Sequence, residues 1–316
     1  MMRAKKVVWL ILLGWLILLI GLPLVIPIHE GGIDPTQLAG PAGAFLRLQG
    51  IQVYYEEQGP PTGPTILLIH GLYGSTASWR YNVPALTAAG YRVIAFDRPG
   101  FGLSDKVAAF DYGLQNQVDL TAELLDTLGV TETAVLAHSA GAKVAATLAR
   151  QQPQRVTQLI LADPQTTVGG PPAFVSSLIQ LPPVWRWGRI GLQAYFTREK
   201  LQTSLGSFYV DPSFLGPADY DAYWRAFQTP GWDVGLLALT RDSAGDLLTE
   251  AEVSQITTET LLLWGEADSI TPLSLADTLE RLLPHSTLVV IPHSGHQPFE
   301  EQAVAFNTAV LSFLRP

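Results

Sequence analysis

Ser139 stands in the string Ala137-His138-Ser139-Ala140-Gly141, after an apolar run and ahead of a helix-like pattern. A serine held on a sharp strand-to-helix turn needs small residues two places before and after it, because larger side chains collide where the backbone doubles back. Ala137 and Gly141 meet that need. The turn also sets the hydroxyl at a helix N-terminus, where backbone N–H groups favour developing negative charge. A hydroxyl is a poor nucleophile without a base. Of the six histidines, His296 in Ser294-Gly295-His296 is the expected base, and His293 in the same loop is the alternative. His29 adjoins an apolar N-terminal segment, and His285 falls near the end of a helix-like stretch. His138 should turn its ring away from the serine beside it, and His70, in His70-Gly71, suits a loop brace. The base needs a carboxylate to hold its tautomer. Asp268, in WGEADSITP, is the expected acid, with Asp163 (ahead of Pro164) and Glu266 as rivals. Two N–H donors are needed for an oxyanion. The Ala140 backbone supplies one, and the loop HGLYGS supplies the other, from Leu72 first and Tyr73 second, with Gly71 and Gly74 allowing close approach. Together these groups suit nucleophilic acyl transfer through a covalent intermediate. The spacing His293-x-x-His296 has the look of a metal pair, but no third ligand cluster accompanies it, so no metal is expected.

These residues need a scaffold that brings distant loops together. Strand-like runs recur at Phe45–Leu48, Ile51–Glu56, Ile66–His70, Arg92–Asp97, Ala134–His138, Leu159–Asp163, Thr260–Trp264 and Thr287–Ile291. Helical patterns fall at Ala77–Ala89, Leu114–Leu128, Gly141–Gln151, Leu273–Leu283 and Pro298–Leu314. The first two strands read as a hairpin around Gly50. The later alternation predicts a mostly parallel sheet with helices on both faces. Every expected site residue then follows the carboxyl end of a strand, where such sheets keep their sites. The rhythm breaks between Asp163 and Thr260. A structureless loop of that length is implausible in a compact domain. We expect an inserted helical cap over 165–250, rich in aromatics such as Trp185, Phe196, Tyr223, Phe227 and Trp232, most of them forming its own small core and some lining an apolar pocket.

The chain has 316 residues, 19 Lys and Arg, 28 Asp and Glu, a net charge of −9 and no cysteine. Disulfide scaffolds, cysteine nucleophiles and thiolate metal sites are thereby excluded. With 47% hydrophobic and 15% charged residues, the chain is not disordered. An acidic balance offers no nucleic-acid face. From Val7 to Ile28 there is no charge, and as a helix this run measures about 33 Å, enough to cross a bilayer. Arg3, Lys5 and Lys6 precede it, so the positive-inside rule places the N-terminus in the cytoplasm and the rest outside. A cleaved signal peptide would have a shorter apolar core of about 7–15 residues. The expected organisation is therefore a basic tip and transmembrane anchor over 1–29, a linker over 30–41, a core over 42–164 and 251–316, and the cap.

Four motifs in order, HGLYGS with Trp79, DRPGFGLSD from Asp97 to Asp105, AHSAG around Ser139, and WGEADSITP followed by SGH, resemble the α/β-hydrolase superfamily. The likeness runs from about Phe45 to Leu314 and is nearest the esterase, monoacylglycerol-lipase, C–C hydrolase and cofactor-free haloperoxidase branch. It implies a capped eight-stranded sheet, a Ser139–Asp268–His296 triad, an acyl-enzyme and no cofactor. Ala137 stands where that family usually has glycine. Ser139 sets the chain apart from branches that use an aspartate nucleophile. The expected activity is a membrane-anchored serine hydrolase acting on a small apolar or lipid-derived ester. Cleavage of C–C bonds, peptide hydrolysis at proline, perhydrolysis and slow-turnover ligand sensing are alternative uses of the same site.

Overall fold

The eight apolar runs form one sheet: β1 Gly43–Leu48, β2 Ile51–Gln58, β3 Thr65–Ile69, β4 Arg92–Phe96, β5 Thr133–His138, β6 Val156–Ala162, β7 Glu259–Gly265 and β8 Ser286–Ile291. Their spatial order is β1-β2-β4-β3-β5-β6-β7-β8. β1 pairs antiparallel with β2, and β2 antiparallel with β4, while every later pairing is parallel. The computed structural model describes residues 2–167 and 171–314; the side chains of residues 2–4, 8, 11, 12 and 16 lie outside the description, Arg3 of the basic tip among them.

Successive residues of a strand face opposite sides of the sheet. Leu67 and Ile69 of β3 join Val135 and Ala137 of β5 in one buried cluster. Ile66 and Leu68 join Ala134 and Leu136 in the other. Both faces are therefore covered, and all six residues of β5 are buried. That explains why these strands read as continuous apolar runs. The helices Leu114–Thr127 and Gly141–Gln151 pack side by side, and Ala303–Phe313 covers the opposite face.

Two expected helices are interrupted. The stretch 77–89 is a 3-10 turn, Thr76–Trp79, followed by the helix Val83–Ala88, which starts afresh with Pro84 in its first turn. A proline interior to one continuous helix would remove a hydrogen bond and clash with the preceding turn. The last helix likewise breaks at Gln302, whose φ of −124° and ψ of 46° are not helical. Between β6 and β7 the described chain is helical: Ala173–Ile179, Pro182–Tyr195, Arg198–Gly206, Pro217–Phe227 and Trp232–Asp242. Leu201, Leu205, Tyr223 and Phe227 form its own buried cluster.

The N-terminal helix runs Met2–Val25. Among the described residues, no helix is long and apolar enough to cross a membrane, so the expected transmembrane helix is not supported. Lys5 and Lys6 occupy its start and Pro23 lies inside its end. The end of this helix is tied to the helix Pro182–Tyr195. Arg186 donates to the carbonyls of Pro23 and Ile26, and Trp187 Nε1 donates to Leu19 O. Trp9, Leu10 and Trp15 are exposed.

Candidate active site

Three loops at the carboxyl ends of β5, β7 and β8 converge. Ser139 follows β5 directly with φ at +48°, a left-handed conformation that costs energy for any residue with a Cβ. Its N–H is held by Ala162 O of the neighbouring strand at 3.0 Å. A Cβ on Gly141 would lie 2.5 Å from His70 O, so only glycine lets the helix Gly141–Gln151 start this close to the β3 loop. Ala137 is fully buried in β5, and its small side chain serves where glycine was the usual residue.

His296 Nε2 lies 3.1 Å from Ser139 Oγ, and His296 Nδ1 lies 2.8 Å from Asp268 Oδ2. Ser139, Asp268 and His296 are each buried. Asp268 also accepts from the N–H groups of Ile270 and Thr271 on Oδ1 and from Thr271 Oγ1 on Oδ2. Burial alone would raise its pKa; the hydrogen bond and charge of His296, with the Thr271 and Ile270 donors, hold it below the ordinary carboxylate value. Asp268 is therefore ionised at neutral pH and fixes the imidazole with Nε2 free to take a proton from the serine. Thr271 belongs to the motif WGEADSITP, yet nothing in the string marked it as a carboxylate anchor.

The rivals fall in other places. Glu266 accepts from the backbone N–H of His293, whose φ is +54°, and both stand on the outer side of the loop. His29 and His285 are exposed. Asp163 is fully buried, with φ at +44°. Its Oδ1 accepts from Gly265 N, while Oδ2 makes no hydrogen bond. Ligand atoms of Asp163, Asp268 and His296 all lie within 4.8 Å of one another. Burial and the neighbouring Asp268 charge push the Asp163 pKa well above its ordinary value. It thus stands behind the Asp268–His296 pair with its proton held more tightly than an ordinary carboxyl holds one. This is also the only such group with metal-ligand proximity among the described residues, but the hydrogen bond of Asp268 to His296 Nδ1 already occupies it.

The two remaining buried histidines have structural partners. His138 Nε2 donates to His296 O at 2.8 Å, and burial followed by the His296 charge holds it well below the usual pKa. Its ring packs on those of His296 and Phe299 and pins the loop carrying His296. His70 donates through Nδ1 to Gly71 O and accepts Arg98 N–H on Nε2. Burial and the charge of Arg98 lower its pKa to about 3, so it is a neutral brace. The loop it braces is fixed again by Asp97, which accepts from Thr76 N and Leu103 N. A Cβ on Gly102 would fall 1.9 Å from Asp97 Oδ2, which is why DRPGFGLSD has glycine there. Neither the Leu72 nor the Ala140 N–H donates to another group among the described residues, and both residues border one cavity of about 300 Å3. A larger cleft of about 630 Å3, beside Trp185 and Arg241, lies away from the serine.

The helical segment reaches the site directly. Phe208 O accepts the backbone N–H of His296 at 2.7 Å. Glu300, just past His296, takes a bidentate pair from Arg80 at 2.9 and 2.8 Å and the hydroxyls of Tyr209 and Tyr223. Arg80 Nε and the Tyr81 hydroxyl donate to Asp219. Sequence reading missed this network, because its members are scattered from residue 80 to residue 300.

Residues 64–303 match the family model of the alpha/beta hydrolase fold. An uncharacterized hydrolase of Bacillus subtilis (strain 168), YugF, is 26% identical over 85% of this chain and 96% of its own length. A 2-hydroxy-6-oxononadienedioate/2-hydroxy-6-oxononatrienedioate hydrolase of Burkholderia vietnamiensis is 30% identical over 84% of this chain and 91% of its own. In fold, a meta-cleavage product hydrolase from Pseudomonas fluorescens IP01 superposes with a TM-score of 0.71 at 24% identity, covering 86% of this chain and 97% of its own. On a family model spanning most of its length, with the sheet order and the carboxyl-end loops just described, the chain belongs to the alpha/beta hydrolase family.

Proposed function

We propose that the protein is a serine hydrolase that cleaves a carboxylic ester. The observation that carries this is the hydrogen-bonded series Ser139 Oγ, His296 and Asp268, at 3.1 and 2.8 Å, on a strained serine turn. Ser139 attacks the ester carbonyl while His296 Nε2 takes its proton. Asp268 stabilises the imidazolium. The N–H groups of Leu72 and Ala140 receive the oxyanion. His296 returns the proton to the leaving alkoxide, and a water activated by the same imidazole then releases the acyl group. Tyr73, Phe227 and Trp232 make an apolar wall beside the oxyanion loop, which suits a substrate with an apolar portion. Full-length protein incubated with a fluorophosphonate should be labelled at Ser139 and should turn over p-nitrophenyl esters; a folded sample with neither property sinks the reading.

The relative from Burkholderia vietnamiensis favours a second use of the same groups, hydrolysis of a C–C bond. A ring-cleavage-type dienoate turned over faster than any ester would favour that use.

We further propose that the N-terminal helix associates with the surface of a lipid bilayer and tethers the catalytic part to it. Its exposed Trp9, Leu10, Trp15 and Ile17, with Lys5 and Lys6 at its start, support this. A structure described as a membrane phospholipase A covers 99% of this chain and superposes with a TM-score of 0.72 at 23% identity, which speaks to the fold alone. Removal of residues 1–30 should release the protein from vesicles with its esterase activity retained; equal vesicle binding by the truncated protein would refute the tether.

A further inference from the structure

The cavity next to Leu72 and Ala140 contains a charge that the triad does not use. Its walls include Arg98, Gln117, Lys143 and the apolar side chain of Leu239. Lys143 sits four residues after Ser139, on the helix Gly141–Gln151, and is 6% exposed. It makes no hydrogen bond or ion pair with any described residue. Arg98, by contrast, is fully engaged: its guanidinium donates twice to Gln117 Oε1 and once to His70 O. Asp246 acts on Lys143 through charge, but its carboxylate takes the Leu114 N–H and lies beyond ion-pair distance of the ammonium. Burying an ammonium without an acceptor is costly. Burial and the Arg98 charge pull its pKa down to about 8 against the opposing pull of Asp246. The group is charged at neutral pH, lines a cavity, and has no partner among the described residues of an otherwise acidic chain.

We propose that this cavity is a subsite for an anionic substituent of the substrate, a carboxylate or phosphate bound by Lys143 while the scissile carbonyl lies between Leu72 and Ala140. The proposal rests on the hydrolase reading and narrows its substrate class to esters with an acidic group on a short arm. Gln117 is fixed by Arg98 and by its own bond to Tyr112 O, and Leu239 is apolar, so beside the uncharged Gln165 and Ser243 the Lys143 ammonium is the charged donor still open on the cavity wall among the described side chains.

Full-length protein is assayed with two matched ester pairs. Mono-p-nitrophenyl adipate against p-nitrophenyl hexanoate places the anion on the acyl side. Hexanoylglycerol 3-phosphate against hexanoylglycerol places it on the alcohol side. In one pair kcat/KM should favour the acidic ester by about tenfold or more, the worth of one charge-assisted hydrogen bond. Lys143→Met should bring that ratio to about one, mainly through KM, and Lys143→Arg should keep most of it. Raising the pH from 7 to 9 should erode the preference in the wild-type protein and leave it in Lys143→Arg. A ratio near one in both pairs, or a ratio unchanged in Lys143→Met, overturns the subsite. Failure to hydrolyse the neutral esters, with no fluorophosphonate labelling, counts against the hydrolase reading instead. Adipate and glycerol 3-phosphate then test the subsite directly: a Tm shift lost in Lys143→Met supports it, and no Lys143-dependent shift refutes it.

Discussion

The sheet and the helical segment above it are built on different terms. At the centre of the sheet, Ile66, Leu67, Leu68 and Ile69 are all fully buried, and each has a fixed partner in β4 and β5. In the segment between β6 and β7, the helix Pro182–Tyr195 buries none of its side chains completely, and four residues make the buried cluster. The segment is secured to the sheet by Ala238 and Leu239, which join the sheet's core, and by polar groups at the seam: Arg80, Glu300, Asp219, Tyr209 and Tyr223. One region places atoms with the precision that acyl transfer requires, since the loops that bear Ser139, Asp268 and His296 leave adjacent or near-adjacent strands. The other covers the site and needs less internal rigidity. Phe208 O, bonded to His296 N, is where the two requirements meet.

Substitutions in the sheet's loops should have the largest effect. Ser139→Ala is expected to lower kcat by on the order of 10^4-fold or more with the fold intact, read by esterase kinetics and circular dichroism. Asp268→Asn should cost about 10^4-fold, because the imidazole loses the partner that sets its tautomer. Asp163→Asn should cost less than about tenfold, since Asp163 accepts from Gly265 N and not from the imidazole, and an amide oxygen can take that bond. Equal losses for the two aspartates would show that Asp163 shares the charge.

At the seam, Glu300→Ala leaves Arg80 with Asp219 and the Ala77 carbonyl and removes the acceptor of two tyrosine hydroxyls. It is expected to lower stability by roughly 3–5 kcal/mol in denaturant unfolding. A loss below about 1 kcal/mol would mean that apolar contacts, and not this network, hold the cap.

Asp163→Asn also makes a smaller, pH-dependent prediction. Folding raises the Asp163 pKa, so the native state binds its proton more tightly than the unfolded chain. Wild-type stability from this group is present below the unfolded value near 4 and falls as pH rises from there towards the folded value. The variant should therefore gain in Tm over wild type as pH rises above about 4, by roughly 2–4 °C for each kcal/mol relieved. A difference that stays constant as pH rises would contradict the raised Asp163 pKa. Smallest of all, Arg198→Ala on the exposed face of the helical segment breaks its ion pair with Asp221 and should change stability by less than about 1 kcal/mol.

Much of this was legible in the chain itself. The apolar runs of β3, β5 and β7 are continuous because a parallel sheet covered on both faces leaves them no polar side. Ala137-x-Ser139-x-Gly141 is short-range steric chemistry, and a turn so tight admits few other residues. Ser139, His296 and Asp268 could therefore be named from type, order and position after a strand. The 3-10 break at Pro84 depended on a local competition that periodicity does not reveal. Only the tertiary structure decided the rest. It put Asp163 behind Asp268 instead of in its place, set Thr271 on the carboxylate, and left Lys143 in a cavity with no partner among the described residues. It also joined Arg80 to Glu300 across 220 positions of sequence. These are long-range pairings among isolated polar residues. They carry no period, and their energies depend on burial and distance, which a string of residues does not contain.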